Sequence, residues 1–276
     1  MIVPQLPIGG VVENVVYWID NVFGTVLNSI SDFLGFLISI FTDVLISMPP
    51  LLFIVALAAV AYLIGRRDWK LPLGVALGFI VILSMDLWEY SMETIALVIS
   101  SASLALIIGI PMGILASKSD LLHTILRPIL DLMQTLPSFV YLIPAVIFFG
   151  LGNVPGMIAT VVFSMPPAIR LTILGITQVP TELVEVADAF GSTSWQKLIK
   201  VEIPVALKTI MAGVNQCIML ALSMVVIASM IGARGLGYQV LIGIQRVDIG
   251  LGFEAGLGIV IIAIVLDRLT QRLTPE

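Results

Sequence analysis

Long apolar segments dominate this sequence and restrict it to few possible folds. Soluble proteins carry about a quarter charged residues, whereas 11% of the residues here are charged and the mean hydropathy is +1.13. A helix needs about 20 apolar residues to cross the hydrocarbon core of a bilayer. The candidate spans are residues 50–65, 71–87, 93–116, 137–151, 155–178, 205–231 and 253–269. The sequence therefore predicts an all-α integral membrane protein, a polytopic bundle of about seven transmembrane helices.

The N-terminal segment has a different pattern. Residues 13–46 place polar side chains on one side of a helical wheel and apolar side chains on the other, which is typical of a helix lying in the membrane interface. Its charged residues are all acidic, which disfavours the anionic cytoplasmic leaflet. We expect residues 1–48 to form an amphipathic interfacial segment on the outer face, with breaks, and residues 49–276 to form the transmembrane domain. A spanning helix within residues 22–46 is the alternative.

Basic residues are distributed unevenly between the polar breaks. When the breaks alternate across the membrane, ten of the 13 basic residues fall on one side: Arg66, Arg67, Lys70, Lys118, Arg127, Lys197, Lys200, Lys208, Arg268 and Arg272. Loops rich in lysine and arginine remain in the cytoplasm. The topology therefore predicts an external N-terminus and a cytoplasmic C-terminus.

A polar segment of mixed charge, residues 181–204, interrupts the apolar spans. Apolar residues recur at helical spacing on both sides of Gly191, and glycine permits a sharp reversal of the chain. Pro204 stands at a position where a new helix can begin. The charged side chains of this segment are costly in hydrocarbon, and the topology places them in the cytoplasm. The segment is therefore predicted to form two short helices that contact another protein.

The spacing within this segment resembles the EAA loop of ABC-importer permeases, which contacts the ATPase. The matching positions are Glu185, Ala187, Gly191 and the sequence Val-Glu-Ile-Pro ending at Pro204. Val186 stands where the family pattern has its middle alanine, and valine and isoleucine replace the isoleucine and leucine before the proline. The resemblance implies that residues 181–204 are a cytoplasmic coupling loop.

A wider resemblance covers about residues 60–270. The elements PSFVYLIP, FGLGNVP and PPAIRLT within residues 133–180, and GARGLG at residues 232–237, resemble permeases of the glycine betaine/proline betaine ABC importers. This resemblance implies a type I ABC importer permease (MetI-like) fold and uptake of compatible solutes for osmoprotection. It also implies a homodimer, two cytoplasmic ATPase subunits that bind ATP and Mg²⁺, and an external betaine-binding protein. No cofactor is expected in this chain. Membrane lipid is expected to surround its spanning helices.

The resemblance assigns roles within the coupling loop. We expect Glu185 to make the polar contact that orients the loop and Gly191 to form the turn. Phe190, Trp195 and Leu198 are candidate apolar contacts for the ATPase. A bulky replacement of Gly191 is expected to leave membrane insertion intact and to abolish transport.

Residues of the translocation path are harder to assign from the sequence than residues of the coupling loop. Quaternary ammonium groups are recognised by aromatic faces through cation–π attraction, although in this family such a cage belongs to the binding protein. The candidates are Gln134, Phe139, Tyr141, Arg170, Asn215, Gln216 and Ser223. The alternatives are lipid-facing or packing roles for the aromatic residues and hydrogen bonds between helices for the polar ones. Arg170 is equally consistent with a cytoplasmic gate or anchor and with plain snorkelling.

Several function classes are disfavoured by the sequence. It contains no Walker A sequence, no metal-spaced His/Cys set and no basic nucleic-acid patch, and the spans offer no paired carboxylates. We therefore expect a transport subunit and not an enzyme, without a metal site or nucleic-acid partner. The alternatives are a permease for choline, carnitine or an amino acid, and an ion-coupled secondary transporter.

Overall fold

The computed structural model of the protein describes residues 8–65 and 68–273, and these ranges are helical apart from short connections. Arg66 and Arg67, which were predicted on the cytoplasmic side, lie outside the described residues. The α-helices are α1 (Ile8–Ser47), α2 (Pro50–Ile64), α3 (Lys70–Ser84), α4 (Trp88–Ser117), α5 (Asp120–Thr135), α6 (Leu142–Phe149), α7 (Asn153–Thr177), α8 (Thr181–Ala189), α9 (Ser194–Lys197), α10 (Ile203–Ala228), α11 (Leu236–Arg246) and α12 (Ile249–Leu273). Short helical turns cover Ser138–Tyr141, Leu198–Glu202 and Ser229–Ile231.

The predicted all-α bundle is confirmed, but the spans are distributed differently from the prediction. Within the described ranges, five helical stretches are long and apolar enough to cross a membrane: Asn21–Ser47, Trp88–Ser117, Asn153–Thr177, Ser194–Ile231 and Ile249–Leu273. The two predicted spans at residues 50–65 and 71–87 are helices of 15 residues each. A 15-residue helix is about 22 Å long, which is shorter than the hydrocarbon core of about 30 Å.

The predicted span at residues 137–151 is one arm of a bent helix pair. Asp120–Thr135 and Ser138–Phe149 meet at an angle of 109° and make a sixth span if they are counted as one. Leu136 at the bend has the extended backbone angles φ −67° and ψ 135°. Proline disfavours helical angles in the residue before it, so Pro137 gives the physical reason for the bend.

Helix α1 is continuous over 40 residues, without the predicted breaks. Leu34 and Ile38 are buried, and the second half of the helix packs on α4, α6 and α7. Its polar side, with Ser31, Ser39 and Thr42, lines a cavity of about 500 Å³, whereas apolar side chains of the opposite side are exposed. By length and hydropathy, the stretch Asn21–Ser47 of α1 could cross a membrane, as the alternative for residues 22–46 requires.

Helices α4, α7 and α10 form the centre of the bundle, and α7 packs against both of the others. The contact between α4 and α7 is close at Gly113, where a Cβ atom would lie 2.6 Å from Cβ of Thr172. Small residues let helix backbones approach in membranes, where packing and not the hydrophobic effect holds helices together. These three helices carry the coupling loop at one end of the bundle.

Candidate functional site

The predicted reversal at Gly191 is confirmed. Helix α8 ends at Ala189, and Gly191 takes the left-handed value φ +74°. The N–H of Ser192 donates to the carbonyl of Ala187 (3.0 Å), and the N–H of Gly191 donates to the carbonyl of Asp188 (2.9 Å). These two bonds form a Schellman motif, which ends a helix by satisfying its last carbonyl groups.

Local hydrogen bonds also define the start of the second helix. The N–H of Gln196 donates to Oγ1 of Thr193 (3.3 Å), and the N–H of Thr193 donates to Oε1 of Gln196 (2.9 Å). This reciprocal capping box satisfies N–H groups that have no partner inside the helix. Across the turn, Nζ of Lys197 lies 2.8 Å and 2.9 Å from the two carboxylate oxygens of Asp188. The ion pair holds α8 against α9.

The outer surface of the loop is apolar and exposed. The side chains of Phe190 and Trp195 are 85% and 68% exposed, as suits predicted contacts for a partner. Leu183, Val186 and Ile199 are exposed as well. Exposed apolar patches of this kind mark sites of protein–protein interaction.

Leu198, which was predicted as a third exposed contact, faces the opposite way. It is only 7% exposed and belongs to an apolar cluster beneath the loop, with Ile176, Val179, Ala206 and Ile210. Partly buried Ile110 and Ile114 of α4 pack against this cluster. Leu198 therefore anchors the loop to the ends of α4, α7 and α10 and does not offer a surface to a partner.

An ion pair with a buried carboxylate adds a second anchor. The side chain of Glu202 is 5% exposed, and its carboxylate accepts a hydrogen bond from Nζ of Lys118, directly after α4. A buried carboxylate without a partner is costly, so Lys118 compensates for its burial. The pair joins the coupling loop to a helix from an earlier part of the chain.

Pro204 occupies the second position of α10, as predicted, but the helix does not start afresh there. A single π turn, Leu198–Glu202, joins α9 to α10, and the N–H of Ile203 donates to the carbonyl of Leu198. Proline has no N–H for the usual bond to the carbonyl four residues earlier. The π turn accommodates this, so the second half of the loop is continuous with a spanning stretch, Ser194–Ile231.

The remaining motif positions differ in exposure. Ala187 is buried beneath the turn. Glu185 is exposed and has no hydrogen bond or ion pair within the described chain. The pair of Asp188 and Lys197 links the two helices of the loop, and the exposed carboxylate of Glu185 is accessible for the predicted polar contact.

The polar path candidates on α10 divide into two groups. The amide nitrogen of Asn215 donates to Oδ1 of Asp267 on α12 (3.0 Å), which matches the alternative of a hydrogen bond between helices. Gln216 and Ser223 are exposed seven residues apart, on one side of α10. Polar groups exposed on a membrane span face a water-filled space or a partner chain.

The aromatic candidates lie at the bend between α5 and α6. Tyr141 donates a hydrogen bond to the carbonyl of Met133 and packs edge-on against Phe163 at 6.0 Å between ring centroids. Phe139 and Gln134 are exposed. The short turn Ser138–Tyr141 contacts α7 and α10, so the bend lies beside the helix that carries Gln216 and Ser223.

Arg170 lies apart from these residues, in a cleft of about 290 Å³ between α5 and α7. Its guanidinium group pairs with the carboxylate of Asp131 on α5. Of the two alternatives for Arg170, this pairing supports an anchor between helices over plain snorkelling.

The family can be assigned from comparison with known proteins. Residues 105–276 match the binding-protein-dependent transport system inner membrane component family. The chain belongs to this family. It is therefore a multi-pass inner membrane permease subunit of an ABC importer and not an enzyme, and such permeases act with an ATPase and a binding protein.

Relatives of this permease cover nearly its whole length. It is 49% identical over 271 residues to the glycine betaine/carnitine transport permease protein GbuB of Listeria monocytogenes, covering 98% of this chain and 96% of that protein. It is 46% identical over 270 residues to the glycine betaine transport system permease protein OpuAB of Bacillus subtilis, covering 98% and 95%. It is also 46% identical over 268 residues to the glycine betaine/proline betaine permease protein ProW of Escherichia coli, covering 96% and 75%.

The fold of the permease is found in a solved structure. A chain of the MetNI methionine ABC transporter, in an inward facing conformation, matches with a TM-score of 0.61 at 22% identity. The match covers 68% of this chain and 96% of that chain. The type I (MetI-like) permease fold is thereby confirmed.

Sequence reasoning missed three contacts that shape the loop of this permease. The Thr-x-x-Gln pattern at Thr193 and Gln196 is a local signature of a capping box and could have been found. The pairing of Asp188 with Lys197 depends on the turn between them. The pairing of Glu202 with Lys118 joins positions 84 residues apart, and no local pattern indicates it.

Proposed function

We propose that this permease imports glycine betaine, proline betaine and closely related quaternary amines, driven by ATP hydrolysis in a separate subunit. The observation that carries the proposal is the loop at residues 181–204. It presents exposed Phe190 and Trp195 on one side and is anchored to three central helices on the other. The substrate class is inferred from the relatives, which are permeases for glycine betaine, alone or together with carnitine or proline betaine.

The proposed assembly contains two copies of the chain, two ATPase subunits that bind ATP and Mg²⁺, and an external betaine-binding protein. The exposed polar residues Gln216 and Ser223 on α10 suit a water-filled path between the two copies, with Phe139 at its edge. Glu185, Phe190 and Trp195 would contact the ATPase. Ala187, Gly191, Leu198 and Pro204 would hold the loop in shape.

Coupling follows from how the loop is attached. When ATP closes the ATPase subunits, each pulls on Phe190 and Trp195 of the loop. The displacement passes to α10 through the continuous helix after Ser194, to α7 through α8, and to α4 through Glu202 and Lys118. The central helices then open the path toward the binding protein, and hydrolysis reverses the change.

The loop is proposed to lie in the cytoplasm, with the N-terminus outside and the C-terminus inside. Lys118 pairs with Glu202 of the loop, Lys208 lies in the second turn of α10, and Arg268 follows Asp267, which bonds to Asn215 of α10. Basic residues on the loop side of the bundle agree with the positive-inside rule for a cytoplasmic surface. The native Cys217 is buried, so an introduced cysteine can be labelled selectively. A maleimide that cannot cross membranes is expected to label Ser192→Cys in inverted vesicles only and Gly250→Cys in intact cells only.

Uptake into proteoliposomes tests the proposed substrate. The permease, its ATPase and its binding protein are reconstituted, and accumulation of labelled glycine betaine is measured with and without ATP. We expect uptake that requires ATP, resists ionophores and is inhibited by proline betaine. Inhibition by choline or an amino acid but not by betaines would assign another substrate, and uptake driven by an ion gradient would refute ATP coupling.

A further inference from the structure

A groove lies between α3 and α12, and none of its lining residues belongs to the coupling loop or to α10. Its volume is about 460 Å³. Its body is apolar, lined by Gly74, Val75, Gly78, Ile261, Ile264 and Val265. Ile264 is more than half exposed, as is Leu77 on α3. In a helix bundle that crosses a membrane, such a surface faces lipid hydrocarbon.

One end of this groove is basic. Lys70, Arg268 and Arg272 line it together with Asp68. The carboxylate of Asp68 lies 3.5 Å from the guanidinium group of Arg272, so this pair is neutral as a whole. Lys70 and Arg268 are exposed beside it and leave this end with a positive charge.

The width of the groove changes along α3. At Gly78 the two helices touch, because a Cβ atom there would lie 2.8 Å from Cγ2 of Ile261. At Gly74, one turn closer to the basic end, a Cβ atom would meet nothing within 4 Å. From Lys70 to Gly78 the open stretch is about 12 Å long at 1.5 Å per residue.

We propose that this groove binds one anionic phospholipid of the cytoplasmic leaflet. The phosphate and any further negative group of the headgroup would lie at Lys70 and Arg268, because charge-assisted hydrogen bonds to phosphate oxygens are strong. The upper part of one acyl chain would lie in the apolar stretch beside Gly74. Basic pockets between transmembrane helices on the cytoplasmic side are known to hold anionic headgroups. A zwitterionic lipid leaves the positive charge uncompensated, so the site prefers a lipid with net negative charge.

Native mass spectrometry of the whole transporter tests this proposal. The complex is prepared in nanodiscs of phosphatidylcholine with an equal amount of phosphatidylglycerol, released gently, and the retained lipid is counted. The wild-type complex is expected to retain phosphatidylglycerol in preference to phosphatidylcholine. The double variant K70Q/R268Q is expected to lower retained phosphatidylglycerol at least fivefold.

Two further variants separate the site from general electrostatics. Gly74→Leu fills the groove and keeps every charge, so it is expected to lower retention as strongly as the double variant. Lys208→Gln removes an exposed basic group at the same end of the bundle and is expected to leave retention unchanged. Thermal unfolding and complex size are measured for every variant, and Gly74→Ala, which adds one carbon without a clash, serves if the leucine variant does not fold.

Three outcomes would overturn the proposal. Equal retention of both lipids by the wild-type complex would exclude a preference for negative charge. An equal loss in Lys208→Gln would show a general effect of charge. Loss of the dimer in Gly74→Leu without a change in retained lipid would show that a second copy of the chain occupies the groove.

Discussion

Glu202 in the coupling loop and Lys118 directly after α4 form an ion pair between positions 84 residues apart, and the Glu202 carboxylate is almost completely buried. The loop therefore contacts the end of α4 through this ion pair as well as through the apolar cluster around Leu198. Movement of the loop relative to α4 must break this pair or carry both residues together. Breaking the pair would leave the Glu202 carboxylate buried without a partner. Moving both residues together therefore costs less free energy.

Exchange of this pair provides the first test. Glu202→Lys or Lys118→Glu alone is expected to lower stability by about 1–3 kcal/mol and to reduce transport strongly, because a buried charge loses its partner. The double exchange is expected to restore a large part of both. Thermal unfolding in detergent and uptake in proteoliposomes measure these effects. Two single variants with wild-type uptake would show that the pair does not transmit the movement.

The second prediction concerns the turn at Gly191. A Cβ atom at this position meets nothing within 4 Å, so only the left-handed backbone opposes a side chain, at a cost of about 1–2 kcal/mol. Gly191→Val is expected to insert normally but to lose transport and stimulated ATPase activity. Gly191→Asn, which tolerates left-handed angles, is expected to retain most of both. Equal activity of the Gly191→Val and Gly191→Asn variants would show that coupling does not depend on the backbone angle at this position.

The third prediction compares the two sides of the loop. Phe190→Ala and Trp195→Ala remove exposed side chains, so the unfolding temperature of the isolated permease should stay unchanged while co-purification of the ATPase falls. Leu198→Ala removes a buried side chain and is expected to destabilise the permease by about 2–5 kcal/mol. If the Phe190→Ala and Trp195→Ala variants still bind the ATPase, the apolar surface of the loop is not the contact site for the ATPase.

The fourth prediction concerns the ion pair across the turn. Asp188 is 53% exposed, and exposed ion pairs contribute about 0–1 kcal/mol. Asp188→Asn and Lys197→Gln should each leave stability nearly unchanged and reduce stimulated ATPase activity, and the double variant should be no worse than either single one. Additive losses would mean that the two residues act independently, for example by contacting the ATPase separately.

The fold class and the position of the loop could be read from particular residues. The long apolar segments at residues 155–178 and 253–269 predict spanning helices, and Asn153–Thr177 and Ile249–Leu273 have the length and hydropathy to span a membrane. Gly191 between two helical patterns predicts a reversal, which the structure shows as a Schellman motif. The orientation of single side chains could not be predicted from the sequence: Leu198 directly follows the short helix α9 that carries Trp195, yet Leu198 is buried and Trp195 is exposed.

By itself, the sequence determined that this chain is a helical membrane protein with a polar reversal at Gly191, because hydropathy and helical spacing are local properties. The tertiary structure alone decided that Leu198 is buried, that Lys118 pairs with Glu202 and that the polar side of α1 lines a cavity. Helical periodicity shows which residues share a face of a helix. Which neighbour that face meets depends on the packing of segments far apart in the chain.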